Sequence, residues 1–104
     1  MSSPMIDRLE AMLAAGNDST ALRFGLGNAY LESDAATAAG HFRAAVEQDP
    51  SYSAAWKMLG KAEAAAGNDE AAVEAYRKGI EAAEARGDVQ AAKEMGVFMK
   101  RLQR

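Results

Sequence analysis

The chain has 104 residues, which is enough for one domain with a modest hydrophobic core. It contains no cysteine, which excludes disulfide bonds and thiolate metal sites, and its net charge of −3 argues against binding to nucleic-acid backbones. Alanine occupies 25 positions, and this abundance of a strong helix former predicts an all-α fold.

Turn and capping residues divide the chain into six predicted helices. Ser3 and Pro4 begin the first helix, because serine caps a helix N-terminus and proline fits the first turn. Glycine followed by asparagine or aspartate ends three of the helices, at Gly16, Gly67 and Gly87. The predicted helices span residues 4–15, 19–32, 35–48, 53–66, 69–86 and 89–102.

Large and small residues recur at fixed intervals in both halves of the chain. The second half reads Trp56-x2-Leu59-Gly60 and then Ala72-x3-Tyr76-x2-Gly79, and the first half reads Leu26-Gly27-x2-Tyr30 and then Ala38-x3-Phe42-x2-Ala45. The two alanines that begin the later steps are 34 residues apart, and so are the two aromatic residues that follow them. The pattern and its period resemble the signature of the tetratricopeptide repeat family.

This resemblance implies antiparallel helix pairs stacked as a short right-handed superhelix. A single domain of residues 1–104 is expected, with repeats at 19–50 and 53–86. A helix at 4–15 would precede them and a capping helix at 89–102 would follow. In that last helix Met95-Gly96 stands where the second repeat has Leu59-Gly60, so the helix looks like a third repeat reduced to one element.

Two glycines in the middle of predicted helices need a structural reason. Glycine costs about 1 kcal/mol relative to alanine inside a helix. The cost at Gly27 and Gly60 is accounted for if a paired helix crosses at each glycine, where a methyl group would clash. Trp56 and Tyr76 are predicted to fill the gaps between these helices within one core.

The chain also departs from the family pattern. Arg23 and Glu63 stand where the two repeats would carry large aromatic residues, and the turn between the second and third helices is one residue short. A buried carboxylate is costly unless it is paired, so Glu63 is expected to reach solvent or a cation.

In this family the first helix of each pair lines the concave face, where peptides usually dock. The resemblance therefore implies a peptide-binding groove lined by Phe24, Asn28, Leu31, Lys57, Met58, Lys61, Lys93, Val97 and Lys100. Such a mixed surface would suit a segment of another protein that carries acidic residues beside an apolar anchor. Alternatively, Phe24 and Leu31 simply pack against neighbouring helices. Some family members bind a terminal carboxylate through a clamp of lysines, asparagines and an arginine, but only Asn28 matches that set.

No pattern in the sequence indicates catalysis or a cofactor. His41 is the sole histidine and has no partner pattern, and without cysteine a metal site would have to be mostly carboxylate. We therefore expect a protein that is not an enzyme, with no catalytic residues, no metal and no cofactor. The segment before Asp18 lacks the apolar stretch of a signal peptide, and no span is long enough for a membrane helix, which predicts a cytoplasmic location without a membrane partner.

The expected function is binding of another protein as an adaptor or scaffold, by a monomer or a weak homodimer. The first alternative is a self-assembly module in which Met95, Val97 and Phe98 on the last helix dock onto a second copy. A specialised chaperone is a narrower form of the leading hypothesis.

Overall fold

The computed structural model describes residues 3–104, and this range folds into six helices without any strand. The helices are α1 (Pro4–Ala14), α2 (Thr20–Tyr30), α3 (Ala35–Gln48), α4 (Ser53–Ala65), α5 (Asp69–Ala85) and α6 (Val89–Leu102). Each predicted boundary lies within two residues of the observed one, and the all-α fold class is confirmed.

Local capping interactions explain why the helices begin and end where they do. The side chains of Ser3, Ser19, Asp34 and Asp88 each accept a hydrogen bond from a backbone N–H in the first turn of the helix that follows. Gly67 follows α4 with φ +87°, a left-handed conformation that ends the helix and that other residues rarely adopt. These devices keep the connections short, so successive helices run antiparallel.

Each helix packs mainly against its neighbours in the chain, and the stack measures 38 × 27 × 18 Å. Beyond these neighbours, α2 also contacts α4. The α1 helix packs mainly against α2 and has no fully buried residue. The stack is therefore most tightly built from α2 to α6.

The two mid-helix glycines lie at helix crossings, as predicted. A Cβ atom at Gly27 would lie 2.5 Å from the ring of Phe42, and one at Gly60 would lie 2.5 Å from the ring of Tyr76. Real Cβ atoms do not approach other atoms so closely, so each glycine is required by the aromatic ring of the next helix.

The buried residues form two clusters rather than one core. Trp56 packs against a cluster centred on α3 and α4, whereas Tyr76 belongs to a second cluster formed by α5 and α6. The expectation of one core shared by these two aromatic residues is therefore wrong. The reason is geometric. The ring of Tyr76 covers Gly60 and lies 5.7 Å from that of Phe98 in α6. The indole of Trp56 instead donates a hydrogen bond to the carbonyl oxygen of Pro50 and lines a groove with Val46 of α3.

Candidate peptide-binding face

We call the side formed by α2, α4 and α6, the first helices of successive pairs, the first-helix face. The α2 and α4 helices are in contact. The α4 helix is joined to α6 by a salt bridge, in which Lys57 Nζ donates a hydrogen bond to Glu94 Oε1 at 3.0 Å. Side chains from three separate parts of the sequence therefore meet on this face.

The apolar residues predicted for the groove are half-buried. The ring of Phe24 lies 5.7 Å from that of Phe42 in an edge-on arrangement and 5.0 Å from that of Tyr52. Leu31 and Met58 pack against the same core cluster. Packing against neighbouring helices, the alternative for Phe24 and Leu31, thus accounts for part of each side chain, while another part of each is exposed. Asn28 of α2, which is also predicted to line the groove, is exposed.

The two predicted lysines of α4 have different partners. Lys57 pairs with Glu94, so its charge is already compensated within the protein. Lys61 is exposed, and its Nζ atom lies 5.2 Å from the ring centroid of Phe98. The guanidinium carbon of Arg101 lies 5.9 Å from the same centroid. Lys61 and Arg101 form no salt bridge within residues 3–104, so two cations without a carboxylate partner lie near one aromatic ring.

The three predicted residues of α6 are exposed, and none of them forms the hydrogen bond or the cation–aromatic contact that joins α6 to Lys57 and Lys61. Lys93 lines a cleft of about 260 Å³ between α5 and α6 together with Ile80 and Glu84. Val97 and Lys100 each precede Phe98 and Arg101 by one residue, so their side chains lie about 100° around the helix axis from those two. The structure therefore brings Lys57 and Lys61 together with α6 but does not bring Lys93, Val97 or Lys100 to them.

Sequence reasoning did not assign to the groove Glu94 and Phe98, two α6 residues whose side chains contact α4, or Arg101, which lies against Phe98 within α6. Their spacing of four and then three residues places them on one side of a helix. The residue that could have indicated this is Met95, which stands at the core-facing leucine position of the repeat. Its burial fixes the orientation of α6 and places Glu94 and Phe98 beside α4. The self-assembly patch of Met95, Val97 and Phe98 needs correction for the same reason. Met95 is only 1% exposed, so it cannot contact a second copy.

A polar network occupies the junction of α1, α2 and α3. Arg23 donates two hydrogen bonds to Asp18, each at 2.9 Å, and its Nη1 atom lies 3.1 Å from Nδ1 of His41. The other ring nitrogen of His41 lies 3.7 Å from Oε1 of Glu10, and its ring stacks on Tyr30. Arg23 thus replaces the aromatic residue of the family pattern with an ionic contact.

This network shifts the pKa values of two of its members. The hydrogen bonds from Arg23 lower the pKa of Asp18 to about 2. Burial lowers the pKa of His41, and the neighbouring charge of Arg23 lowers it further, although Glu10 and Asp18 oppose these effects. His41 is therefore a packed, neutral side chain at physiological pH.

The second departure from the family pattern is also paired. Glu63 is 6% exposed and accepts a hydrogen bond from Arg43 at 2.8 Å and another from Asn68 at 3.2 Å. The expectation that Glu63 would reach a cation is confirmed. Arg43 and Glu63 line a groove between α3, α4 and α5, away from the Lys61 and Phe98 contact.

Two negative findings apply to residues 3–104. No three side chains of the metal-binding types are grouped so that they could hold an ion. Within the same range, none of the helices combines the length and apolarity needed to cross a membrane.

Comparison with known proteins gives the family. The TPR repeat-containing protein PA0015 of Pseudomonas aeruginosa is 54% identical over 101 residues, which is 96% of each chain. The chain is a tetratricopeptide repeat protein. No family-wide sequence model matches it. The charged residues Arg23 and Glu63 at aromatic places of the repeat are departures of the kind that weaken such a match.

Solved structures with the same fold agree with this assignment. The chain is similar to protein BPP2914 from Bordetella parapertussis, a solution structure, with 46% identity, a TM-score of 0.79 and coverage of 99% of this chain and 90% of that one. It also resembles MamA, with a TM-score of 0.69 over 94% of this chain and 64% of that one. The identity to MamA is 21%, so that likeness shows the fold alone. Tetratricopeptide repeat proteins are in general protein-interaction modules.

Proposed function

We propose that this tetratricopeptide repeat protein is an adaptor whose first-helix face binds a short acidic segment of another protein. The observation that carries the proposal is the placement of Lys61 and Arg101 beside Phe98, at 5.2 Å and 5.9 Å from its ring centroid, without a carboxylate partner within residues 3–104. Within residues 3–104 no group of three metal-binding side chains supports an alternative role in metal-dependent catalysis.

The charges favour an acidic ligand. Contact with an aromatic ring supplies about 0.5–1 kcal/mol to each exposed cation, which positions the side chain without neutralising it. A carboxylate between Lys61 and Arg101 would interact with both cations while the neighbouring residue of the ligand packed on Phe98. Lys57 contributes less in this arrangement, because Glu94 already compensates its charge.

The apolar residues favour a ligand that also carries an apolar anchor. Phe24, Leu31 and Met58 are half-buried, so each is held by the core and still offers apolar surface. Side chains held in this way lose little conformational entropy when a ligand binds. The ligand would extend from these residues to Phe98, with Asn28 as a hydrogen-bonding partner. Lys93, Val97 and Lys100 would lie at the margin of the site.

A peptide-display selection tests the proposal. Random peptides of a fixed length would be selected on the wild-type protein, and the enriched peptides are expected to carry aspartate or glutamate next to an apolar residue. The same peptides should lose most of their binding to the double variant Lys61→Glu/Arg101→Glu, and their binding to the wild type should weaken with added salt.

The matched control is Arg8→Glu/Arg86→Glu, which changes the net charge equally at two exposed positions on α1 and after α5. Its binding should remain close to that of the wild type. If the selected peptides bind the Lys61/Arg101 variant as tightly as the wild type, the first-helix face is not the binding site. A loss in both double variants would indicate an effect of net charge alone.

A further inference from the structure

Three glycines occupy the same step of the three first helices. Gly27, Gly60 and Gly96 each follow a large apolar residue, namely Leu26, Leu59 and Met95. These three preceding side chains are all buried, with exposures of 0%, 5% and 1%, so α2, α4 and α6 present the same side to the core. The three glycines can therefore be compared directly.

Gly96 differs from the other two because no helix crosses it. An aromatic ring of the next helix lies 2.5 Å from the place of a Cβ atom at Gly27 and at Gly60. At Gly96 nothing lies within 4 Å of that place. Glycine in the middle of a helix lowers helix stability whether or not a neighbour requires it. Gly96 therefore leaves room for a side chain of a neighbouring helix, although no helix of the same chain lies there.

The surface around Gly96 also lacks the cover that its counterpart in α4 has. Val89, Ala92, Gly96 and Met99 follow a helical spacing along one side of α6, which we call the α6 stripe. Their counterparts in α4, each 36 residues earlier, are Ser53, Trp56, Gly60 and Glu63. Three of these four α4 residues are buried by the rest of the stack, whereas none of the four in the α6 stripe is, and Val89 is 61% exposed.

The difference extends to α5. Ile80 stands 34 residues after Val46, which is 3% exposed and lies in one cluster with Ala75 of α5. Ile80 instead lines the open cleft of about 260 Å³ beside Val89 and Ala92. The repeat itself therefore shows what fits here: a helix that lies beside α5 and α6 as α5 lies beside α3 and α4, with a large apolar side chain over the glycine.

The first helix of a second copy has the features of that missing helix. Within residues 3–104 the large exposed apolar side chains are Met5, Met12, Val89 and Val97, two on α1 and two on α6. Met5 and Met12 are seven residues apart, hence on one side of α1, with exposures of 60% and 42%. Methionine is flexible enough to fill an irregular gap such as the one over Gly96.

Topology and charge favour the same occupant. The α1 helix precedes the first helix α2 as α3 precedes α4, so α1 placed on the α6 stripe would continue the alternation of helices into the next copy. The α1 helix contains two acidic groups, Asp7 and Glu10, and one basic group, Arg8, whereas residues 89–104 contain four basic groups and one acidic group. The net charges of the two ends are therefore opposite in sign.

We propose that the protein associates head to tail, with α1 of one copy on the α6 stripe of the next. Because the two surfaces differ, the contact is not two-fold symmetric, and each bound copy leaves a free surface that can bind a further copy, so association continues beyond a dimer. The contact uses the ends of the stack and leaves Phe98 and Lys61 available, so it is independent of the peptide binding proposed above. One helix buries little area, so association should depend strongly on concentration.

Sedimentation velocity from micromolar to millimolar concentration tests this proposal with two complementary variants. Gly96→Leu fills the α6 stripe and should abolish association while the melting temperature stays at or above that of the wild type, because the site is open. Met5→Glu/Met12→Glu alters only the exposed side of α1 and should also give a monomer. An equimolar mixture of the two variants should form a heterodimer and nothing larger, because each retains one functional surface.

Val97→Glu is the control, since Val97 is 49% exposed on α6 but lies about 100° around the helix from Gly96. This variant should associate like the wild type. The proposal is overturned if the wild type is monomeric at every concentration, if the Met5/Met12 variant still associates, or if the mixture stays monomeric. Loss of association in Val97→Glu alone would move the contact away from the α6 stripe. The mixture also shows that both variants are folded, because an unfolded partner could not form the heterodimer.

Discussion

Within each repeat, α2 with α3 and α4 with α5, the helices meet at a glycine covered by an aromatic ring, whereas α1 and α6 are attached to the ends of the stack by different means. The α6 helix inserts Met95 between α4 and α5: its sulfur atom would lie 2.5 Å from a Cβ atom placed on Gly79. The α1 helix buries no residue, and its contacts with α3 include Glu10 near His41. One end is therefore held by apolar packing and the other partly by charged groups, so the ends should differ in their response to truncation and to pH.

Removal of α6 should have the largest effect of any change considered. Deleting residues 89–104 removes Met95 and exposes Tyr76 and Ile80, which would cost much of the roughly 5–15 kcal/mol that stabilises a domain of this size. Urea denaturation followed by circular dichroism measures the loss. Deleting residues 1–16 is the matched truncation and should lower the midpoint much less. Equal losses at the two ends would contradict the comparison.

Substitution at a glycine crossing should have the next largest effect. Gly60→Leu forces a side chain against the ring of Tyr76 and should destabilise the protein by about 1–3 kcal/mol or more. Gly96→Ala is the control at the same step of α6, where nothing lies within 4 Å, and it should stabilise the helix by up to about 1 kcal/mol. The measurement is the melting temperature of each variant. An unchanged value for Gly60→Leu would show that α4 is oriented differently.

The buried pair of Arg43 and Glu63 should have a moderate effect. Arg43→Met leaves the carboxylate of Glu63 buried with only Asn68 as a partner, and an unsatisfied buried group costs about 1–3 kcal/mol. Half of the arginine side chain is exposed, so a value near the lower end is expected. The double variant Arg43→Met/Glu63→Met should recover most of the loss in urea denaturation. If the double variant is less stable than Arg43→Met, Glu63 stabilises the protein through contacts other than its pairing with Arg43.

The sequence predicted the helices and the crossings well because both depend on local or periodic signals. Gly27 and Gly60 could be placed because the repeat pattern pairs each of them with an aromatic residue of the next helix, and the 34-residue period indicated which aromatic residues these are. The α6 part of the candidate site was less accessible, since the exact rotation of a terminal helix depends on a single side chain, Met95. The pairing of Lys57 with Glu94 was also missed, because 37 residues separate them in the chain.

The polar attachment of α1 should make stability depend on pH, although this is the smallest effect expected. Because burial lowers the pKa of His41 below its ordinary 6.5, the unfolded chain binds a proton more readily than the folded protein. The contribution of neutral His41 is therefore fully present above pH 6.5 and is lost as the pH falls through the lower folded value.

Asp18 acts in the same direction at lower pH. Its pKa is lowered from 3.8 to about 2, so the contribution of its contact with Arg23 is present above pH 3.8 and is lost as the pH falls towards 2. Melting temperatures of the wild type and of His41→Gln, recorded from pH 8 to pH 3, separate the two contributions. Below pH 6.5 the wild type should lose stability relative to the variant, which has no imidazole to protonate, while both should share the decline that Asp18 causes near the acid end. If the two profiles remain parallel through pH 6.5, His41 titrates normally, and the network around Arg23 does not hold it in its neutral form.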